Sequence, residues 1–187
     1  HALGKGVVIA EIQQHSDITY RLYDWDRVDD KGKPRELHVE KALRVCEYDA
    51  LKDHRVPPVV IRRAYGEQRF LVACRYFALE QLTVSQTTGV QPMRGKFHIL
   101  ACLDGSAQIV AASAQTSIRA GETFVLPACL GEYSLMPSAG DCRLLRMYVP
   151  SLGADIIEPL QQAGFARDQI NALGGPVPEQ NDLAAIG

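Results

Sequence analysis

The sequence is short of the features that announce a function, and each shortage excludes something. No apolar run approaches the ~20 residues that a bilayer-spanning helix needs. Lysine and arginine are scattered, with Arg62-Arg63 the densest pair, and the formal net charge is −2. Without a basic stripe or a long-range field, nucleic acid and membranes are not expected partners. The five cysteines, Cys46, Cys74, Cys102, Cys129 and Cys142, are odd in number, far apart and never in a C-x-x-C pair. This argues against a zinc ribbon or a disulfide scaffold, and the simplest expectation is a cytoplasmic chain with free thiols. There is no His-x-His pair, no clear internal repeat and no leader-like segment. The chain opens on His1, and Val7-Val8-Ile9-Ala10 follows almost at once, as a strand entered in mid-domain would.

What is present reads mainly as β structure. GVVIAEIQQ (6–14) and DITYRLYDW (17–25) are expected to be strands, since β-branched and aromatic residues are enriched and a short turn separates them. VDDKGKPR (28–35) forms a polar turn, ELHVEKALRVCEYDALK (36–52) is ambiguous with helical composition, and Pro57-Pro58 suggests a linker. From 68 to 150, strand-like runs recur between Gly, Pro, Ser and Asp turns, at the spacing of an antiparallel sandwich or barrel. Residues 154–174 turn helical in composition, and 176–187 read as a loose tail. The expected organisation is 1–52 as the closing part of a first barrel with its connector, 53–67 as linker, 68–150 as a complete second barrel, and 151–187 as helical extension and tail.

Gly121-Glu122-Thr123-Phe124-Val125-Leu126-Pro127 has the G-x5-P spacing that opens the second barrel motif of cupins. Cupins usually place a metal-binding His a few residues past that Pro, where this chain has Ala128-Cys129-Leu130-Gly131-Glu132-Tyr133. The second module therefore resembles a cupin (jelly-roll) barrel without metal ligands. His98, alone on an apolar strand, reads as a satisfied core or surface residue.

The run EIQQHSDITYRLYDWDR, led by HALGKG, and the downstream RELHVEKAL resemble the class I mannose-6-phosphate isomerases, most closely the C-terminal portion of their short bacterial form. His15 and Ile18 stand where that family usually has Asn and Thr or Asn. The resemblance implies tandem cupin-like barrels, the first incomplete at its N-terminus, and a zinc cofactor. His1 would be the last zinc ligand, with the others outside this sequence. It also implies interconversion of mannose 6-phosphate and fructose 6-phosphate through a cis-enediol, and a fragment that is inactive alone.

On a strand, Asp17, Thr19, Arg21 and Tyr23 would share one face. The bland reading is an exposed ion pair; the resemblance places these positions in an active site. It makes Arg21 electrostatic support for the enediolate, Asp17 an aid to ring opening or proton relay, and Arg27 a phosphate ligand, against a surface cation for the last. His38-Val39-Glu40 has a spacing that could ligate a metal, but lies in an apparent connector. A free N-terminal His could chelate copper in a secreted protein, which the free-thiol pattern disfavours. The competing reading is a non-catalytic sugar- or metabolite-binding cupin module; a cupin-sensor regulator is weaker, for want of a basic helix-turn-helix. Homodimerisation through open strand edges is a further expectation.

Overall fold

Alternating apolar and polar residues let a strand bury one face and wet the other, and that pattern builds most of this molecule. The computed structural model describes residues 3–46, 48, 55–112, 114–177 and 181–186. The chain divides into two units, His1–Asp53 and His54–Gly187.

In the first unit the described backbone is mostly irregular. A turn over 28–34 is closed by a bridge between Val28 and Pro34 and pinned by Asp29 Oδ1, which accepts from the amides of Lys31 and Lys33 at 2.9 Å each. One short helix, α1 (Val39–Val45), lies in the segment whose composition left helix open. The strands expected over 6–14 and 17–25 are not formed. Strand propensity expresses packing against a partner more than a preference of the backbone, and a lone hairpin is marginal in water. Neither segment finds an edge among the described residues, and Val8 and Ile18 stand 96% and 72% exposed.

The second unit is a two-sheet jelly-roll sandwich. Its strands are β1 (Val59–Arg63), β2 (Gly66–Ala73), β3 (Ala78–Val84), β4 (Gln91–Pro92), β5 (His98–Asp104), β6 (Ser106–Ala111), β7 (Ala114–Arg119), β8 (Thr123–Leu126), β9 (Glu132–Pro137) and β10 (Cys142–Tyr148). One sheet runs β1-β2-β3-β10-β5-β8 and the other β4-β9-β6-β7, with every pairing antiparallel. Leu82, Leu100 and Leu144 of the first sheet meet Ile109, Ile118 and Leu135 of the second in one apolar cluster. The turns fall where the glycines are. Gly105 joins β5 to β6 at φ +72°, and a Cβ there would sit 2.3 Å from the Asp141 carbonyl oxygen, so both conformation and space require glycine. Gly121 makes the β7–β8 turn, and Pro127 ends β8, as the G-x5-P spacing implied.

Residues 53–67 are not simply a linker: they carry β1 and the start of β2. Pro57-Pro58 precede β1 instead of interrupting it, and proline is tolerated ahead of a strand. Val59 and Ile61 are buried.

Past β10, a π-helical turn (Leu152–Ile157), α2 (Glu158–Gln162) and α3 (Arg167–Ala172) pack on the first sheet. Ile156, Leu160, Ile170 and Leu173 join Phe70, Ala73 and Ala78 in a second apolar cluster. The described part of the tail is docked, not loose. Leu183 is fully buried in that cluster. The Asn181 amide donates to the carbonyls of Asn171 and Gly175 at 2.7 and 3.0 Å, while its Oδ1 accepts from the Leu183 and Ala184 amides at 3.0 Å each.

Cys102 and Cys142 face each other inside the sandwich, with sulfurs 3.7 Å apart and both thiols free. Burial, then the neighbouring Cys102, pushes the Cys142 thiol up to about 12.

Candidate functional sites: a carboxylate–guanidinium hub and a polar cleft

Each unit holds a concentration of charge among its described residues. In the first, the hub is Asp24. Arg35 grips its carboxylate with two parallel bonds, from Nε at 2.6 Å and from Nη2, in the bidentate geometry that suits a guanidinium to a carboxylate. Arg21 Nε stands 3.9 Å from the same carboxylate. The Arg35 hydrogen bond outweighs desolvation and holds Asp24 below the usual carboxylate range, so this group is a fixed anion at neutral pH. Successive left-handed residues, Trp25 (φ 56°) and Asp26 (φ 51°), turn the chain back so that the Arg27 amide donates to the Asp24 carbonyl at 3.1 Å.

Arg21 is anchored on three sides. Its amide donates to His38 Nδ1 at 3.3 Å, its carbonyl accepts from the His38 amide at 2.7 Å, and its Nη1 donates to the Glu36 carbonyl at 2.9 Å. His38 is therefore a bracing residue for Arg21 in this arrangement.

The structure thus brings Arg21 and Arg27 to one hub. Asp17 is exposed and joins no hydrogen bond or ion pair among the described residues; the strand face that would align it with Arg21 is not formed. Asp24 and Arg35 were missed by sequence reasoning, which sought a strand alternation in a segment that turns. The string Tyr23-Asp24-Trp25-Asp26-Arg27 carried a local signal, two carboxylates flanking a residue that must reverse direction.

His1 lies outside the described residues. Among the described residues no group of three or more His, Cys, Asp and Glu side chains is placed to hold a metal ion. The described residues do not by themselves fit a zinc site.

The second concentration of charge lies within the sandwich unit. Along β3 the inward positions are Ala78, Glu80, Leu82 and Val84, and along β10 they include Cys142, Leu144, Arg146 and Tyr148. Two charges of opposite sign thus occupy apolar phases of neighbouring strands, at directly paired positions. Arg146 Nε and Nη2 both donate to Glu80 Oε2, at 3.2 and 2.5 Å. Gln68 Nε2 adds a bond to the same oxygen at 2.8 Å, and the Tyr148 hydroxyl donates to Oε1. The network continues outward through Arg63 Nε on Gln68 Oε1 at 3.1 Å and Arg146 Nη1 on Gln91 Oε1 at 2.9 Å.

Burial opposes the Arg146 charge, and Glu80 more than offsets it, so the guanidinium is held protonated. Burial and Glu80 raise the Tyr148 hydroxyl well above its ordinary value, keeping it a donor. The His98 ring lies tilted against Tyr148, centroids 5.2 Å apart, and shares a 3.1 Å hydrogen bond with the Tyr133 hydroxyl. Burial, then Arg146, lowers its pKa to about 4, so it is neutral. Its reading as a satisfied buried residue holds.

Glu80, Arg146, Gln68, Tyr148 and His98 line an open cleft of about 170 Å³. The π-helical turn contributes Asp155 to the lining, where it pairs with Lys96 and lies 3.6 Å from Arg94.

The family model of the mannose-6-phosphate isomerase cupin domain matches residues 66–149, the sandwich from β2 to the end of β10. This region belongs to the mannose-6-phosphate isomerase cupin family. Mannose-6-phosphate isomerase ManA of Bacillus subtilis is 33% identical over 142 residues, covering 72% of this chain and 42% of the relative. The probable mannose-6-phosphate isomerase GmuF of the same organism is 34% identical over 147 residues, covering 78% and 44%. The crystal structure of the mannose 6-phosphate isomerase from Bacillus subtilis superposes with a TM-score of 0.57 at 26% identity, covering 71% of this chain and 40% of that one. The chain spans less than half the length of these relatives. No helix among the described residues is long and apolar enough to cross a membrane.

Proposed function

We propose that this chain is the C-terminal part of a zinc-dependent aldose–ketose isomerase that interconverts mannose 6-phosphate and fructose 6-phosphate through a cis-enediol. The observation that carries the reading is the 33–34% identity to proteins named mannose-6-phosphate isomerase, extending over 72% and 78% of the chain. Zinc would supply stabilisation of the enediolate oxygens, with His1 among its ligands.

The roles of this chain's own residues follow from the hub. Arg21 cannot give up its proton at ordinary pH, so it acts as a fixed cation and donor toward developing negative charge on the substrate oxygens. Asp24, ionised and gripped by Arg35, orients that cation and keeps it from folding away. The Arg27 main chain is tied to Asp24 by a backbone bond, and its planar guanidinium fork suits the substrate phosphate. Asp17 is a solvent-facing carboxylate available to relay a proton during ring opening.

The test is isomerase activity in the presence of zinc. The chain alone should give no turnover. Fused behind the N-terminal portion of the Bacillus subtilis relative, it should turn over mannose 6-phosphate, and Arg21→Ala in the fusion should lower kcat with a smaller change in KM. A folded, zinc-loaded fusion without turnover would overturn the assignment.

A further inference from the structure

The Glu80–Arg146 network is costly to build and is not needed to fill the sandwich. A carboxylate and a guanidinium taken out of water repay their desolvation only with near-complete hydrogen bonding, and apolar residues of similar volume often serve stability as well or better. Here the pair is 1% and 7% exposed and yet borders an opening, not a sealed core. Four cations line the cleft, Arg63, Arg94, Lys96 and Arg146, against two carboxylates, Glu80 and Asp155, an excess of two positive charges.

The two carboxylates are placed differently. Glu80 is saturated by Arg146, Gln68 and Tyr148 and serves the frame. Asp155 comes from the helical extension. It takes donors from Lys96 and from the Ser151 amide, the latter at 2.6 Å, and pairs at 3.6 Å with Arg94, whose Nη1 donates to the neighbouring Ala154 carbonyl at 3.1 Å. It thus occupies, as an internal anion, the position where two of the cleft's four cations, Lys96 and Arg94, converge.

We propose that this cleft is a binding site for a small phosphomonoester, with Asp155 as its built-in competitor. A phosphomonoester carries about −1.5 to −2 charge at neutral pH and three strong acceptor oxygens, which matches both the excess charge and the converging donors. The size also fits. An apolar cavity of about 150 Å³ takes a benzene ring, so this cleft takes a phosphate with a short carbon chain or the phosphorylated end of a sugar. The site lies wholly within the second unit, and the inference does not depend on the isomerase reading.

Calorimetry on the 187-residue chain tests it, with inorganic phosphate and mannose 6-phosphate as probes and mannose as the uncharged control. Both phosphates should bind and mannose should not. The Arg94→Gln/Lys96→Gln pair, at partly exposed positions that leave the core intact, should abolish binding without moving the unfolding midpoint appreciably. Asp155→Asn should tighten binding several-fold, whereas a merely structural Asp155 would give weaker binding. No phosphate binding at millimolar concentration, or binding indifferent to the Arg94/Lys96 pair, would overturn the proposal.

Discussion

The two units draw on the same residue types and treat them in opposite ways. In the sandwich unit, Leu82, Leu100, Leu144 and Ile118 are completely buried, and the buried Glu80–Arg146 pair is enclosed by hydrogen bonds. In the first unit, Val8, Ile18, Tyr23 and Trp25 are more than half exposed, and of its described apolar residues Ala42 is buried. The difference teaches that apolar composition does not make a core. A core needs a second surface at the right period, which the β6–β9 sheet offers to β3, β5 and β10. The first unit is organised by directional contacts instead: a guanidinium fork, the His38 brace on Arg21 and a tight turn.

That contrast can be broken most forcefully at Glu80. Glu80→Leu strands Arg146 as an unpaired buried cation and should cost about 3–5 kcal/mol, read from urea unfolding. Glu80→Leu combined with Arg146→Met should recover a large part of that loss; no recovery would mean that the pair is not the source of the cost.

Next in size is a pair of truncations, one in each unit. Leu144→Ala should cost about 2–5 kcal/mol through lost burial and a residual cavity. Val8→Ala should stay within about 0.5 kcal/mol, as for a surface change. Equal costs would erase the distinction between the units.

A smaller effect is expected from acid. His98 is neutral in the folded barrel, with its pKa lowered from 6.5 to about 4. The unfolded chain therefore takes up the proton first, and stability present above pH 6.5 falls progressively toward pH 4 and levels below it. His98→Gln keeps a polar partner for Tyr133 and should flatten that part of the urea-midpoint profile; an unchanged slope would assign the acid sensitivity elsewhere.

The least effect on global stability is expected from Asp24→Asn. It should leave the unfolding midpoint of the sandwich unmoved while loosening the first unit, seen as faster amide exchange at Arg21 and Arg27. A fall in the sandwich midpoint would show that the units are energetically coupled.

Sequence reading reached the sandwich because its turns are chemical. Gly105 and Gly121 adopt backbone that other residues resist, and the runs between them alternate. It failed on 6–14 and 17–25 because strand-like composition only proposes a strand, and a partner edge disposes. It missed β1 because two prolines looked like a spacer. Within the hub, Arg21 and Arg27 had been singled out through the resemblance, and their catalytic and phosphate roles stand as proposals. Asp24 and Arg35 were not, since eleven positions separate them and a left-handed turn intervenes. Glu80 and Arg146 were legible in principle, as opposite charges on the apolar phase of two strands, but their pairing is a fact of register. The cleft was out of reach, because Asp155 arrives from beyond the last strand.

The two facing sulfurs of Cys102 and Cys142 provide a clock. Thiol-modifying reagents attack an accessible thiolate; both sulfurs are shut away from solvent while the sheets stay closed, and burial also raises the Cys142 thiol. Exposed Cys129 should label at once. The lag before the buried pair labels then measures how often the barrel opens, without any dye or introduced probe.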